Sequence, residues 1–457
     1  LSLHGCSGCG EWILAGDSSI DQQIEIIDIS EFFESEGEEP AAELALTWAK
    51  SYGDQRIESV VSAALSSDGG YVFMGISLAD WSIITRMIKI DSYGDVIWQN
   101  EIDIEYRTHT PTGMTLISIG DGEYAATGGN FILRVWRMAE DGSIRWMKRY
   151  QSEGDFYGSC SIQQTLEGAN IIAGWRKEDS DSADPDLFVL KTDRNGEIEW
   201  QKSYGGPDED WAYWIDRTHD SGYIVGGYTK SFGAVDEDAW ILRLGNNGEI
   251  IWQKRIGGSG DDEILAMMET PSGDFLAAGW TNSFEWPDYD SWIIKLNQDG
   301  EILWQKRYGG PDWDLTNSII KMESGHFVAA GQTSWNTWVF KIDGNGTVLW
   351  ERTFGAELDD ISNDIKETRD GGFFLAGDAF IDSTHDYDYY ILKLDREGNM
   401  NTPCSFIVPE EPSSHAIETD AVPMDTTAVP VEADAVASDE TFTVTATEAE
   451  VRTYCGD

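Results

Sequence analysis

Cys6 and Cys9 form a C-x-x-C pair, the first residues along the chain with chemical potential. Haem attachment would require histidine at the next position, which is Gly10. A structural zinc needs about four ligands, and only His4 lies nearby. The pair is therefore read as half-cystines, bonded locally or to another chain. Cys404 and Cys455 are the other disulfide candidates, for each other or for Cys6 and Cys9, and spacing leaves the connectivity open. Cys160, in the strand-like run SCSIQQT, is expected to be a buried free thiol.

Paired acids recur at two places. One set comprises Asp208 and Asp210, Asp261 and Asp262, Asp312 and Asp314, Asp359 and Asp360; the other comprises Asp184 and Asp186, Asp236 and Asp238, Asp288 and Asp290, Asp386 and Asp388. Ca²⁺ takes about six to eight oxygens, so Asp208, Asp210, Asp312 and Asp314 are candidate ligands for a structural ion. The alternative is that each Asp accepts backbone N–H groups in a tight turn and recurs because the unit recurs; this reading is preferred, and no other cofactor is expected. Sugar cleavage would need two carboxylates at a set separation, one of raised pKa, and no such pair can be picked among 83 acids. The histidines at 4, 109, 219, 326, 385 and 415 fall at unrelated positions. The chain carries no nucleophile elbow, P-loop or dinucleotide fingerprint, and it is not expected to be an enzyme. Asn345-Gly346-Thr347 is a glycosylation sequon in a hairpin turn.

The elements that would position these residues are repeats. The phrases GDVIW, GSIRW, GEIEW, GEIIW, GEILW and GTVLW end in Trp98, Trp146, Trp200, Trp252, Trp304 and Trp350, and Trp48 in LALTWAKSYG is equivalent. Their spacings are 50, 48, 54, 52, 52 and 46 residues. Each unit reads as four short strands: WAYWIDRTHD, YIVGGYT, AWILRLG and EIIWQKRI in one case, with Asn and Gly in the turns. Four strands in roughly 40 to 50 residues is the period of a β-propeller blade. The last unit ends at Met400 without a Trp strand, and the first begins with a Trp strand that lacks a preceding hairpin. The expected fold is therefore an all-β, seven-bladed propeller over 44–403, closed by a strand near Leu44–Tyr52, with β-rich extensions at 1–43 and 404–457. The seven recurring indoles are expected to pack between blades. A sugar platform suits the non-repeating Trp136, Trp175, Trp280, Trp286, Trp313 and Trp335 better.

With 83 acids against 31 bases, the formal net charge is −52. Phosphate contact needs clustered Lys and Arg, so nucleic acid and anionic membrane surfaces are excluded as partners. No apolar run approaches the roughly 18 to 20 residues of a membrane span. The start at Leu1 is read as a mature product whose secretion signal has been removed.

The phrases SGYIVGGYTKSFG, DAWILRLGNNGEIIWQKRIGG and DSWIIKLNQDGEILWQKRYGG resemble a family of secreted archaeal and bacterial propeller repeats. Those units share a D-G-G-Y-I-V-A-G-Y-T core and an L-K-L-D-x-x-G-x-I-x-W-Q-K-x-Y-G-G strand pair. The resemblance extends over about residues 47–400; it implies the fold and an extracellular setting, and implies no activity. The Trp phrase is also distantly similar to the docking repeat of quinoprotein dehydrogenases. The chain lacks their adjacent cysteine pair and their D-x-x-T-G turn, so a quinone is not expected.

The extensions are acidic. Residues 1–46 hold 11 acids and no Lys or Arg; residues 404–457 hold 12 acids and only Arg452. The tail run Thr441 to Ala446 alternates like a strand. Neither segment has enough apolar surface to fold alone, so each must rest on its own ring or on a neighbour. Strand addition between copies would build a filament. The expected role is thus a self-associating subunit of an extracellular filament or cell-surface assembly. Alternatives are a propeller binding surface glycans, then an enzyme of polysaccharide turnover.

Overall fold

The computed structural model describes residues 46–400, apart from 55, 80–81, 103–113, 130–131, 153–154, 179–183, 284–288, 311, 356–359 and 381–386, together with six strands between 417 and 455. Among the described residues there is no α-helix. Seven antiparallel sheets form the ring. Blade one is Ile57–Leu65, Tyr71–Ala79, Ser82–Ile90 and Val96–Ile102, and the next five repeat this meander. The seventh takes Asp360–Glu367, Phe373–Phe380 and Tyr387–Leu394 from one end of the ring and Trp48–Gly53 from the other, in register from Trp48 opposite Lys393 to Tyr52 opposite Tyr389. All six residues of this closing strand are buried. Closure joins the two ends of the ring and leaves only the short outer edge of each blade open to pairing.

The recurring phrase W-x-K-x-Y fastens each blade to the next. Trp48, Trp98, Trp200, Trp252 and Trp304 donate their indole N–H to a carbonyl in the following blade's turn, at 3.0, 3.0, 3.1, 2.8 and 3.1 Å. Trp146 and Trp350 lie against the turn glycines Gly196 and Gly398 of the following blades. Trp48 is 1% exposed; the other six are half-buried. Tyr52, Tyr150, Tyr204 and Tyr308 add a hydroxyl bond to the same turns, at 2.6 to 2.8 Å. The turns are shaped for this. Asp193 Oδ1 accepts the N–H groups of Asn195 and Glu197 at 2.8 and 2.9 Å. Gly248 sits at φ 72°, and a Cβ there would lie 2.9 Å from both the Trp200 ring and the Tyr204 hydroxyl. Glycine is needed on both counts.

The apolar cores lie between neighbouring blades: Ile171, Val189 and Leu187 of the third pack on Val225, Leu242 and Trp240 of the fourth. Each such aliphatic side chain contributes about 1.5–3 kcal/mol by leaving water. The register of the innermost strand shifts in all seven blades, in six of them at the equivalent place, between Ala212 and Trp214 for example. Such a bulge re-aims a side chain, here that of Tyr213.

The tail adds a fifth strand to six of the seven blades. Ile417–Glu418, Met424–Asp425, Val431–Glu432, Val436–Asp439, Val444–Ala446 and Glu450–Cys455 pair with the outer strands of blades five, four, three, two, one and seven, in that order. Strand addition from this segment was open to its own ring or to a neighbouring copy; in this single chain it falls on its own ring. The physical reason is proximity, since a tethered strand competes for the nearest unpaired edge at high effective concentration. The head extension, with Cys6 and Cys9, and residue Cys404 lie outside the described residues; Cys455 ends the last tail strand, opposite Ala49.

Candidate binding face

In an antiparallel meander, the loops between second and third strands and those between successive blades emerge on one face. Two backbone contacts there repeat from blade to blade. On blades four to seven the Asp that opens the innermost strand donates its N–H to the residue preceding the third strand of the blade before: Asp210 to Pro185, Asp262 to Glu237, Asp314 to Tyr289 and Asp360 to Trp335, at 2.7 to 2.9 Å. The residue preceding that Asp accepts an N–H in turn: Glu209 from Lys230, Asp261 from Asn282 and Trp313 from Ser334, at 2.8, 3.0 and 3.2 Å. The backbone is constant at these positions, whereas the side chains are not.

The Asp carboxyls secure the arrangement. Asp210 accepts the Gly206 N–H at 2.7 Å, the Ser231 hydroxyl at 2.9 Å and the Thr229 hydroxyl. Asp262 does the same with Gly258 at 2.9 Å, Ser283 at 2.6 Å and Thr281, and Asp314 accepts from Gly310 at 2.6 Å. Burial raises each of the three to about 6 against these donors.

On blades five and six the anchored positions carry aromatic rings. Trp280 meets Tyr289 edge-on at 4.7 Å, Tyr289 meets Trp313 at 5.0 Å, and Trp313 stacks on Trp335 at 5.9 Å and 27°. Trp313 and Trp335 are 44% and 49% exposed. Trp335 and Ser334 form the two-residue turn of the sixth blade at φ 69° and 44°. A bulky residue in the left-handed region is strained. The turn is held by the bonds to Trp313 and Asp360 already described and by Ser334 Oγ donating to Asp312 at 3.1 Å.

On blades four and five the same positions carry acids. Asp184, Asp208, Glu209, Asp236, Glu237 and Asp261 line an open crevice of about 550 Å³, with Lys230 between them. Lys230 is 2.8 Å from Glu209 and 3.0 Å from Glu237. Below, burial pushes the Glu263 carboxyl well up, and the Glu237 carboxyl within hydrogen-bond reach pushes it further; the Tyr213 hydroxyl opposes this. Carboxyls this close do not match the roughly 5 to 9.5 Å separations of glycosidase pairs.

Of the six Trp set aside as a sugar platform, Trp280, Trp313 and Trp335 are brought together. Trp136 and Trp175 are core residues, 0% and 5% exposed, and Trp286 lies outside the described residues. Among the candidate ion ligands, Asp210 and Asp314 are buried and bonded to turn donors, Asp208 lines the crevice, and Asp312 accepts from Ser334. In the second acid set, Asp238 and Asp290 pair with Arg255 and Arg307 of their own blades. Among the described residues no cluster of His, Cys, Asp and Glu is arranged to hold a metal. Asn345 is exposed in its turn, with its N–H on Asp343 at 2.8 Å. Cys160 is buried, which pushes its thiol up to about 12. Sequence reasoning missed Tyr289 and Glu237, which break the repeat at anchored positions, and Glu263, next to Asp262; aligning the units there would have found them.

No family model and no curated protein sequence matches the chain. Solved structures match at low identity. A polysaccharide lyase, Uly1, is 8% identical with a TM-score of 0.49, over 77% of this chain and 100% of that one. Sqt1 of Chaetomium thermophilum is 11% identical with a TM-score of 0.46, over 76% and 97%. A Bacteroides caccae protein of unknown function is 13% identical with a TM-score of 0.39, over 65% and 94%. Likeness at this level carries no argument about activity.

Proposed function

We propose that this chain is an extracellular binding propeller that holds neutral or amino-bearing glycans on its aromatic half-face. The observation that carries the reading is the exposed, stacked Trp313–Trp335 pair, with Trp335 kept at φ 69°. Strain of that kind persists only where surrounding structure over-determines it, and such sites cluster at ligand clamps. Indole faces suit the C–H faces of sugar rings. The acids of the neighbouring crevice disfavour uronate or sulfate and favour an amino substituent. The resemblance to secreted propeller repeats supports the extracellular setting. Titration calorimetry with neutral, amino-bearing and uronate oligosaccharides tests the reading. Binding of the first two, lost in Trp313→Ala, is expected; equal binding of uronates, or binding indifferent to Trp313, would overturn it.

A further inference from the structure

The tail strands recur at a constant step. Ile417, Met424, Val431, Ser438, Thr445 and Arg452, each seven residues after the last, stand opposite Arg307, Arg255, Ser203, Arg149, Glu101 and Ser51. These are equivalent positions of six blades. The residue that follows each stands opposite the next equivalent position; on blades two to five an acid there faces a Lys, and on blade seven Thr453 faces Lys50. Glu418, Asp425, Glu432 and Asp439 stand opposite Lys306, Lys254, Lys202 and Lys148. Where blade one has Asn100 instead of Lys, the tail has Ala446 instead of an acid. The one basic residue of the tail, Arg452, faces Ser51 on the seventh blade, where the other tail units face Arg or Ser and, on blade one, Glu101.

We propose that the outer blade edges form one acceptor track for an extended acidic segment, read at one seven-residue unit per blade, and that this chain's own C-terminal segment is the occupant. Three features support the assignment. Seven extended residues reach at most about 23–25 Å, so a constant step matches a track with a constant interval, as a ring of equal blades provides. Opposite charges directly across an antiparallel pair are stabilising. The ring is poor in bases, yet a Lys stands opposite four of the tail acids, at a position where Lys148 also meets Glu197 of the next blade's turn at 2.9 Å. The belt thereby covers edges that would otherwise accept strands from other copies. This proposal is independent of the glycan reading, because it concerns the rim and not the mouth.

The test uses the whole chain with a protease site introduced ahead of Ile417. After cleavage, the segment is expected to co-elute with the ring at about 0.05 M salt and to leave it at about 1 M, where the Debye length falls to about 3 Å. Glu418→Gln, Asp425→Gln, Glu432→Gln and Asp439→Gln together leave the ring untouched and are expected to weaken retention about tenfold or more. Glu in place of Lys148, Lys202, Lys254 and Lys306 is expected to release the segment, and Lys at the four tail acids to restore it. Removing 426–428 shortens one link without altering charge and is expected to release the segment too. Tryptophan emission reports ring integrity throughout. Retention unchanged by the Gln variant, or by a scrambled segment of equal composition, overturns the proposal. Intact chains that sediment as a ladder of oligomers would seat the tail on a neighbouring copy and overturn its intramolecular occupancy.

Discussion

The acidic and aromatic halves of the mouth are built on one backbone. Glu237 and Trp335 occupy the same anchored position, as do Asp261 and Trp313, each fixed by an N–H bond that repeats from blade to blade on this half of the ring. Only the side chains differ, and they make a crevice of carboxylates on blades four and five and a stack of rings on blades five and six. The lesson is a division of labour in a repeat protein: what recurs holds the blades in place, and what departs from recurrence at a held position is free to face a ligand.

The sharpest way to break this comparison is to attack the scaffold common to both halves. Asp262→Ala and Asp314→Ala each strand several buried donors. Each should cost about 2–4 kcal/mol, read as a lower midpoint in urea. Unequal losses would mean that the halves are not equivalent. Next comes the side-chain layer. Trp313→Ala or Trp335→Ala should weaken glycan binding by about 2 kcal/mol, as for an exposed aromatic anchor, while Asp208→Asn leaves neutral-glycan affinity unchanged by calorimetry.

A smaller effect comes from protons. Asp210, Asp262 and Asp314 sit near 6 in the folded ring, against about 3.9 when unfolded. The folded state thus holds their protons more tightly. Their contribution, on the order of 1 kcal/mol each, is fully present below about pH 4 and is lost as pH rises through about 6. Melting temperature should therefore fall from pH 5 to pH 8, and Asp262→Asn should flatten the slope. The carboxylates of Asp68 and Asp220, held down near 2 by hydrogen bonds and ion pairs that outweigh desolvation, oppose this only below about pH 4. Of similar size but opposite consequence is Trp335→Gly, which relieves the left-handed backbone and should stabilise the fold by about 1 kcal/mol while glycan binding is lost. Smallest, Asp208→Asn and Asp312→Asn should each change stability by less than about 0.5 kcal/mol, with or without added Ca²⁺; a Ca²⁺-dependent rise in melting temperature abolished by either would assign them to an ion.

The ring was legible because Trp48, Trp98 and their equivalents recur in phase, and because the final unit lacks the strand that the first supplies. The tyrosines Tyr52, Tyr150, Tyr204 and Tyr308 recur in the same phase in four of the seven units, but their role depends on a turn one blade away that no local pattern shows. The mouth was half legible. Being outside the repeat singled out Trp280, Trp313 and Trp335, yet it also singled out Trp136 and Trp175, which fill the core. Sequence alone does not say which face of a strand looks inward when both are buried. The tail's seven-residue step was present in Ile417, Met424 and Val431, but a segment that pairs for as few as two residues per blade has neither strand nor helix periodicity. The meaning of its spacing lies in the ring beneath it.

The antiparallel pairing of Trp48–Gly53 with Glu450–Cys455 sets Ala49 against Cys455, so the described ends of the ring and tail leave it at one point on the rim. Tension between them would load the ladder one bond at a time, as a zipper is pulled from its open end, instead of shearing all its bonds together. A module anchored through both ends would yield there first under modest force, and the reseating of a single short strand would repair it.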